Sequence, residues 1–296
     1  MNGVSHGPAR KPGDRLPGPP GPLVLFGSGE TARSGRRVHE EVLRGLPTPV
    51  RVAILPTPAA FQPNADTAAG KLADFVRHSL VGRQPEVVVV DARRRGGLDG
   101  AGDPDDPRVA AALDGARYVL AGPGSPTYMV RQLTGTRTWA AVQGAWHEGA
   151  GIALASAAAV AVGAHCLPVY EIFKAGEDLA WRPGLDLCAD IGLELAVVPH
   201  WNNTEGGEGL DTSRCFVGAD RFERLRTLLP ATAVVIGLDE HTSCILDAGA
   251  GTLDVRGLGT MTVLRGANET ILAAGERAPL DLLRPFVGSS GSARVS

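Results

Sequence analysis

Ser156 stands between an apolar run, Gly151–Leu154, and an alanine-rich stretch, Ala157–Val162. The run has the length of a buried strand and the alanines have the propensity of a helix, so the serine falls on the turn between them. There a hydroxyl projects past the sheet edge. It would sit beside the N–H groups and positive dipole of a helix start, surroundings that suit a nucleophile whose intermediate carries an oxyanion. A serine at such a point more commonly caps the helix, so a base has to be identified independently.

Of seven histidines, His6 lies in a Gly- and Pro-rich tail, and His39, His78 and His147 lie in polar, helix-like segments. His165, His200 and His241 remain as candidates for the rim of a sheet. His200 is favoured, because it follows the apolar run Leu195–Val198, the next strand after Ser156, and a base must come within hydrogen-bond range of its hydroxyl. A third group normally fixes the imidazole tautomer. Glu171, Glu177 and Asp178 in the long connection, and Asp239 and Glu240 beyond the following strand, are all candidates, and residue type does not choose among them.

Gly122-Pro123-Gly124-Ser125-Pro126 can bring bare backbone close to a substrate carbonyl, since glycine has no side chain to obstruct the approach. Gly124 and Ala157 are therefore the candidate oxyanion donors. Gly27-Ser28-Gly29 opens like a dinucleotide loop, but the third glycine of that motif is missing and no acid follows at the ribose position, so that reading is discounted.

These residues need a scaffold that collects strand ends on one side. Strand-length apolar runs occur at Leu23–Phe26, Val50–Leu55, Glu86–Val90, Tyr118–Ala121, Gly151–Leu154, Leu193–Val198 and Ala233–Leu238, with helical patterns such as Ala69–Leu80 between them. The alternation predicts an α/β fold: a doubly wound, mostly parallel sheet with helices on both faces. In such a sheet, ligands bind at the carboxyl ends of the strands. After Asp239 the pattern changes to short β runs at Cys244–Asp247, Thr252–Val255, Met261–Leu264 and Ile271–Ala274, read as an antiparallel C-terminal extension. One domain is expected over residues 21–286, with disordered tails at 1–20 and 287–296.

Composition narrows the function further. A net charge of -3 with dispersed Lys and Arg offers no field for phosphate backbones or anionic lipid, so neither nucleic acid nor a membrane surface is expected as a partner. The longest weakly apolar stretch, Ala150–Ala164, falls short of the ~20 residues that a membrane span requires. Cys166, Cys188, Cys215 and Cys244 have neither zinc-site nor disulfide spacing and read as reduced thiols in a cytoplasm. No metal and no cofactor is expected; a homodimer is the oligomer envisaged.

Taken in order, the strand-end segments resemble the dipeptidase E and cyanophycinase family of serine peptidases, which share the class I glutamine amidotransferase-like fold. The resemblance runs from about Leu23 to Leu264 and rests on five stretches: Leu23–Glu30, Gly122–Leu133, the Ser156 turn, Pro199-His200-Trp201 and Ile236–Thr242. It implies Ser156 as nucleophile, His200 as base and an acid about two dozen residues before the histidine, which points to Glu177 with Asp178 as neighbour. It also implies an oxyanion hole on Gly124 and Ala157, and polar residues after the histidine that hold substrate. Asn202, Asn203, Glu205 and Arg214 occupy that stretch, and Asn202, Arg214 and Glu240 are expected to bind substrate. The family's turn reads Gly-x-Ser-Ala-Gly-Ala, whereas here it is Leu154-Ala155-Ser156-Ala157-Ala158-Ala159, so a changed local path or a repacked neighbour is expected. The implied reaction is cleavage of an amide bond in a small peptide or amino-acid conjugate through an acyl-enzyme. Transfer or hydrolysis of another acyl group, such as a γ-glutamyl amide, and a non-catalytic binding protein of the same fold are the alternatives.

Overall fold

The computed structural model describes residues 18–96 and 102–285. Five parallel strands form its centre: β1 (Leu23–Phe26), β2 (Arg51–Leu55), β3 (Glu86–Val89), β4 (Tyr118–Ala121) and β5 (Gly151–Ala155), in the order β3-β2-β4-β5-β1. Every residue of β1, β4 and β5 is buried, as expected where helices cover both faces of a parallel sheet. The period-2 alternation of the strands sorts their side chains. Val24, Phe26, Ile54 and Leu120 pack with Val38 and Leu43 of α1 (Arg33–Leu43) and Val76 of α2 (Ala65–Ser79). On the other face Leu25, Leu55, Val119 and Leu154 pack among residues of the next three helices, α3 (Pro107–Ala110), α4 (Pro126–Leu133) and α5 (Arg137–His147), with Val109 of α3 only partly buried. Met129 and Leu133 come from α4, and Val142 and Trp146 from α5.

The second half of the chain departs from one continuous sheet. After α6 (Ala157–Ala161) come β6 (His165–Cys166), α7 (Val169–Phe173), β7 (Arg182–Pro183), β8 (Leu195–Val198), α8 (Ala219–Arg226) and β9 (Val234–Leu238). Then follow β10 (Thr242–Asp247), β11 (Thr252–Gly257), β12 (Thr260–Arg265), β13 (Asn268–Ala273) and β14 (Arg277–Pro279). β10 pairs antiparallel with β1, setting Leu25 opposite Cys244, and β11 and β14 extend that edge. With the β1 edge so occupied, β8 and β9 have no place in the parallel sheet where the sequence had put them. They run parallel to each other in a separate four-stranded sheet, β13-β12-β9-β8. The architecture remains α/β with a large, mostly parallel core sheet and C-terminal antiparallel strands. The predicted tails lie outside the described residues, apart from 18–20.

Candidate active site

β5 delivers Ser156 directly into α6, and the turn between them is sharp. Ser156 has φ 52° and ψ -115°, a conformation that non-glycine residues adopt only at a cost of ~1–3 kcal/mol and only where surrounding contacts enforce it. The enforcement is visible. Leu154 is locked in register between Leu25 and Ala121, the Ser156 N–H donates to Phe26 O at 3.2 Å, and Ala157 to Ala161 are all buried. The glycines missing on either side are therefore not needed for the path. Leu154 uses its side chain to pack in the core, and the strain falls on the serine alone. Ser156 makes no helix-capping bond; its Oγ lies 2.9 Å from His200 Nε2. α6 spans only five residues, so what it offers next to the serine is individual N–H groups rather than a long helix dipole.

His200 leaves β8 at the edge of the other sheet, yet it reaches Ser156 because Gly27 ties the two sheets together. The Gly27 N–H donates to Thr242 O of β10 within its own sheet at 2.8 Å, while Gly27 O accepts across to the other sheet from the His200 N–H at 3.3 Å. A Cβ on residue 27 would meet Asp239 O at 2.1 Å, so only glycine permits this approach. The neighbouring Ser28 Oγ accepts from the His241 N–H at 2.9 Å. The Gly-Ser-Gly segment, discounted from the sequence as a dinucleotide loop, is thus a joint between sheets.

The other imidazole nitrogen, Nδ1, lies 3.1 Å from Glu240 Oε1. That oxygen also accepts from Nδ2 of Asn203 at 3.1 Å, and Asn203 is buried, its Oδ1 accepting from the Glu205 N–H. Burial raises the pKa of the Glu240 carboxyl, but the hydrogen bonds from His200 and Asn203 outweigh it and hold the pKa below the usual carboxylate range. Glu240 is positioned by its predecessor. Asp239 accepts from the N–H and Oγ1 of Thr260, each at 2.8 Å, fixing the turn after β9. Of two adjacent acids, one holds the turn and the other faces the imidazole.

Three expectations are corrected. Glu177 does not approach His200: its Oε2 pairs with Arg182 Nη2 at 2.7 Å on the exposed connection after α7. Arg182 also lies 3.5 Å from Glu171 of α7, so Glu171 and Glu177 are gathered by a cation instead of a histidine. Asn202 does not line the cavity at Ser156; its Oδ1 accepts from the Glu240 N–H at 2.8 Å, which makes it a support for that turn. Arg214 is stacked over the Trp201 ring, 3.9 Å from its centroid, and donates from Nη1 to Trp201 O at 2.9 Å. Both attractions hold it against its own loop, and it does not line the cavity at Ser156. The sequence does not single out Asn203 as a partner for the acid, although the Asn202-Asn203 pair, one residue beyond the histidine's neighbour Trp201, is a visible signal.

Beside Ser156 lies a cavity of about 140 Å³ walled by Pro126, Val160, Val169, Phe173 and Phe216, with Lys174 and Tyr170 contributing polar atoms. Gly124 and Ala157 also border it. Gly124 has φ 153° and a Cβ there would meet Pro58 O at 2.0 Å, so the bare backbone expected at this position is enforced by the neighbouring loop. Cys215 lines the same cavity, but burial pushes its thiol up to about 12, which leaves it protonated and a poor competitor to the serine. Of the non-glycine residues with positive φ, Ser156, His200, Arg214, Cys215, Phe216 and His241 all lie at or next to this site. Strained backbone concentrates where geometry is over-determined, and here Ser156, His200, Cys215 and Phe216 line one cavity. Among the described residues no cluster of His, Cys, Asp and Glu suits a metal ion, and no helix is long and apolar enough to cross a membrane.

No family model matches the chain, and no curated protein matches it. Solved structures do. A peptidase from an acI-B1 Actinobacterium is similar at 20% identity and a TM-score of 0.68, over 89% of this chain and 98% of that one. A protein from Listeria monocytogenes EGD-e provisionally named peptidase E is similar at 14% identity and a TM-score of 0.50, over 86% of this chain and 100% of that one. At these identities the likeness shows a shared fold, and that fold is one found in peptidases.

Proposed function

We propose that the protein is a serine-type peptidase of the dipeptidase E and cyanophycinase kind, with Ser156, His200 and Glu240 as its catalytic residues. The observation that carries the reading is the chain of contacts from Ser156 Oγ to His200 Nε2, and from His200 Nδ1 to Glu240, built on a strained turn that serves no capping role. In this reading Ser156 Oγ attacks the amide carbon while its proton passes to His200 Nε2, and Glu240 stabilises the resulting imidazolium through Nδ1–H. The N–H groups of Gly124 and Ala157 receive the oxyanion, where one such donor is worth about 3 kcal/mol of barrier. The imidazolium then protonates the departing amine, and water, deprotonated by the same imidazole, hydrolyses the acyl-enzyme.

The apolar walls of the cavity favour a substrate with an apolar side chain next to the scissile bond, and Arg214 is too occupied with Trp201 to recognise a carboxylate there. The reading is tested with a fluorophosphonate probe and a panel of dipeptides, isoaspartyl peptides and γ-glutamyl amides. Labelling confined to Ser156, lost in His200→Ala, with turnover of at least one α-peptide, is the expected result. Tight ligand binding without labelling would point to the non-catalytic alternative, and turnover limited to γ-glutamyl amides would point to acyl transfer of another class.

A further inference from the structure

The cavity at Ser156 holds little more than one side chain, so the rest of any substrate must lie outside it. The surface continues in one direction. Tyr170 forms part of the cavity wall and also of a second depression of about 440 Å³, lined by Phe61, Ser125, Thr127, Tyr128, Arg131 and Glu171. Phe61, Tyr128 and Arg131 in turn border a third, of about 780 Å³, where Arg94 and Arg95 join them. Both volumes fall in the range of about 300–1,000 Å³ typical of ligand sites. The three depressions form one groove from the nucleophile to an arginine cluster.

The groove is built in advance of any ligand. Tyr128 Oη donates to Arg93 O at 3.1 Å, buried Gln132 accepts from the Arg95 N–H at 2.8 Å, and the Arg95 guanidinium donates to Thr134 O. These bonds pin the segment after β3 to α4, the helix that begins beside Gly124. Arg93 is neutralised by Asp66 and Asp91, and Glu171 is engaged by Thr127 and Arg182. Arg94 and Arg131 form no ion pair with any described residue, and Arg131 lies over the Tyr128 ring at 5.3 Å. The exposed rings of Phe61 and Tyr170 add flat apolar surface along the way. A solvated arginine face would not require this bracing, and in a protein of net charge -3 two guanidinium groups that no described acid pairs with form a local anion site.

We propose that this groove is an extended peptide subsite, in which Phe61, Tyr128 and Tyr170 carry the chain and Arg94 and Arg131 hold a carboxylate several residues from the scissile bond. The carboxylate is an acidic side chain or the peptide's own C-terminus. The proposal rests on Ser156 being the reacting group, and it extends the substrate class from dipeptides to longer peptides with a distal negative charge.

The test uses the full chain carrying Ser156→Ala and fluorescein-labelled pentaalanine in three forms: the C-terminal amide, the free acid, and the amide with glutamate at the fourth position. Fluorescence anisotropy should show at least one acidic form binding about fivefold more tightly than the neutral amide, the size expected for one or two exposed charge pairs. That gap should shrink at ~1 M salt. It should close when Arg94→Ala and Arg131→Ala are added, with an unchanged melting temperature confirming the fold. Which acidic form gains tells whether a side chain or a terminus is held. If all three peptides bind alike, or not at all, or if the gap survives the double substitution, the subsite does not exist. Fluorophosphonate labelling of the unsubstituted protein runs in parallel. Absent labelling with an intact anisotropy gap would overturn the catalytic reading and uphold the groove, whereas labelling without a gap would do the reverse.

Discussion

Ser156 and Glu240 reach the same imidazole from sheets that share no strand, and they are held there in different ways. The serine is fixed by covalent geometry and packing, at the end of a wholly buried strand running into a wholly buried helix. The acid is fixed by polar bonds drawn from distant parts of the chain: Asn202 on its N–H, Asn203 and His200 on its carboxylate, Thr260 on the residue before it. A packed turn tolerates change in the side chain it presents, since its shape does not depend on that side chain. A polar network does not, because removing one member leaves another buried and unpaired. The two halves of the site should therefore answer mutation differently, one losing activity alone and the other losing activity and stability together.

The widest separation is expected at Ser156. Ser156→Ala should lower kcat by a factor on the order of 10⁶, the scale seen when a serine hydrolase loses its nucleophile, with no measurable change in thermal stability. Ser156→Gly should be equally inactive yet more stable by about 1 kcal/mol, since relief of ~1–3 kcal/mol of strain exceeds the ~0.5–1 kcal/mol of added chain entropy. Differential scanning calorimetry with a turnover assay would check both. A Gly variant that melts lower than the Ala variant would mean that the turn is not strained.

Next in size comes the choice between acids. Glu240→Gln keeps the shape but removes the charge facing His200, and a loss of about 10²–10⁴ in kcat is expected, as for other triads deprived of their acid. Glu177→Gln breaks only a surface pair with Arg182, worth ~1 kcal/mol or less, and should leave kcat within about twofold. Steady-state kinetics decides: comparable losses in both, or a loss in Glu177→Gln alone, would return the third role to the loop.

This contrast also marks where the sequence stopped being legible. The strands, and the places of Ser156, His200 and Gly124 beyond their ends, were readable because each is encoded locally, by an apolar run and the residues that follow it. The assignment of β8 and β9 to the main sheet failed because an edge can be filled from either direction, and periodicity carries no record that β10 takes the β1 edge first. The acid failed for a related reason. Five carboxylates had similar local surroundings, and only long-range contacts, to His200 Nδ1 and from Asn203 Nδ2, separate Glu240 from the rest.

Smaller than these, and measured as stability, is the effect expected of Asn203→Ala. It strips Glu240 of one donor and the Glu205 N–H of its acceptor, which should cost about 1–3 kcal/mol in urea unfolding at neutral pH. The pH dependence follows from Glu240, whose folded pKa lies below its usual value. A carboxyl shifted in that direction stabilises the protein above the unfolded pKa, and the contribution is lost as pH falls through the folded value. The gap between Asn203→Ala and the unsubstituted protein should therefore be widest near neutrality and narrow in acid. A gap that widened toward low pH would show that Asn203 does not act through an ionised Glu240.

The smallest effect is expected at Arg214, and it separates a residue near the site from one belonging to it. Its guanidinium stacks on Trp201 and bonds to the same residue's carbonyl, while Trp201 itself packs edge-on against Phe222 at 5.0 Å in the core beneath the second sheet. Lysine would keep the charge but lose the flat stacking surface and the directed N–H, so Arg214→Lys should lower stability by about 1 kcal/mol, or ~2–4 °C in melting temperature for a domain of this size. Catalysis should respond only through the shared loop, so any change in kcat/KM should be the same for a substrate with a free carboxylate and for its neutral amide. The ratio of the two rates is the informative quantity, because a general loosening of the loop leaves it untouched. Should Arg214→Lys selectively impair the carboxylate substrate, the guanidinium must leave Trp201 when substrate binds, and the anion would be held beside Ser156 as well as at the far end of the groove.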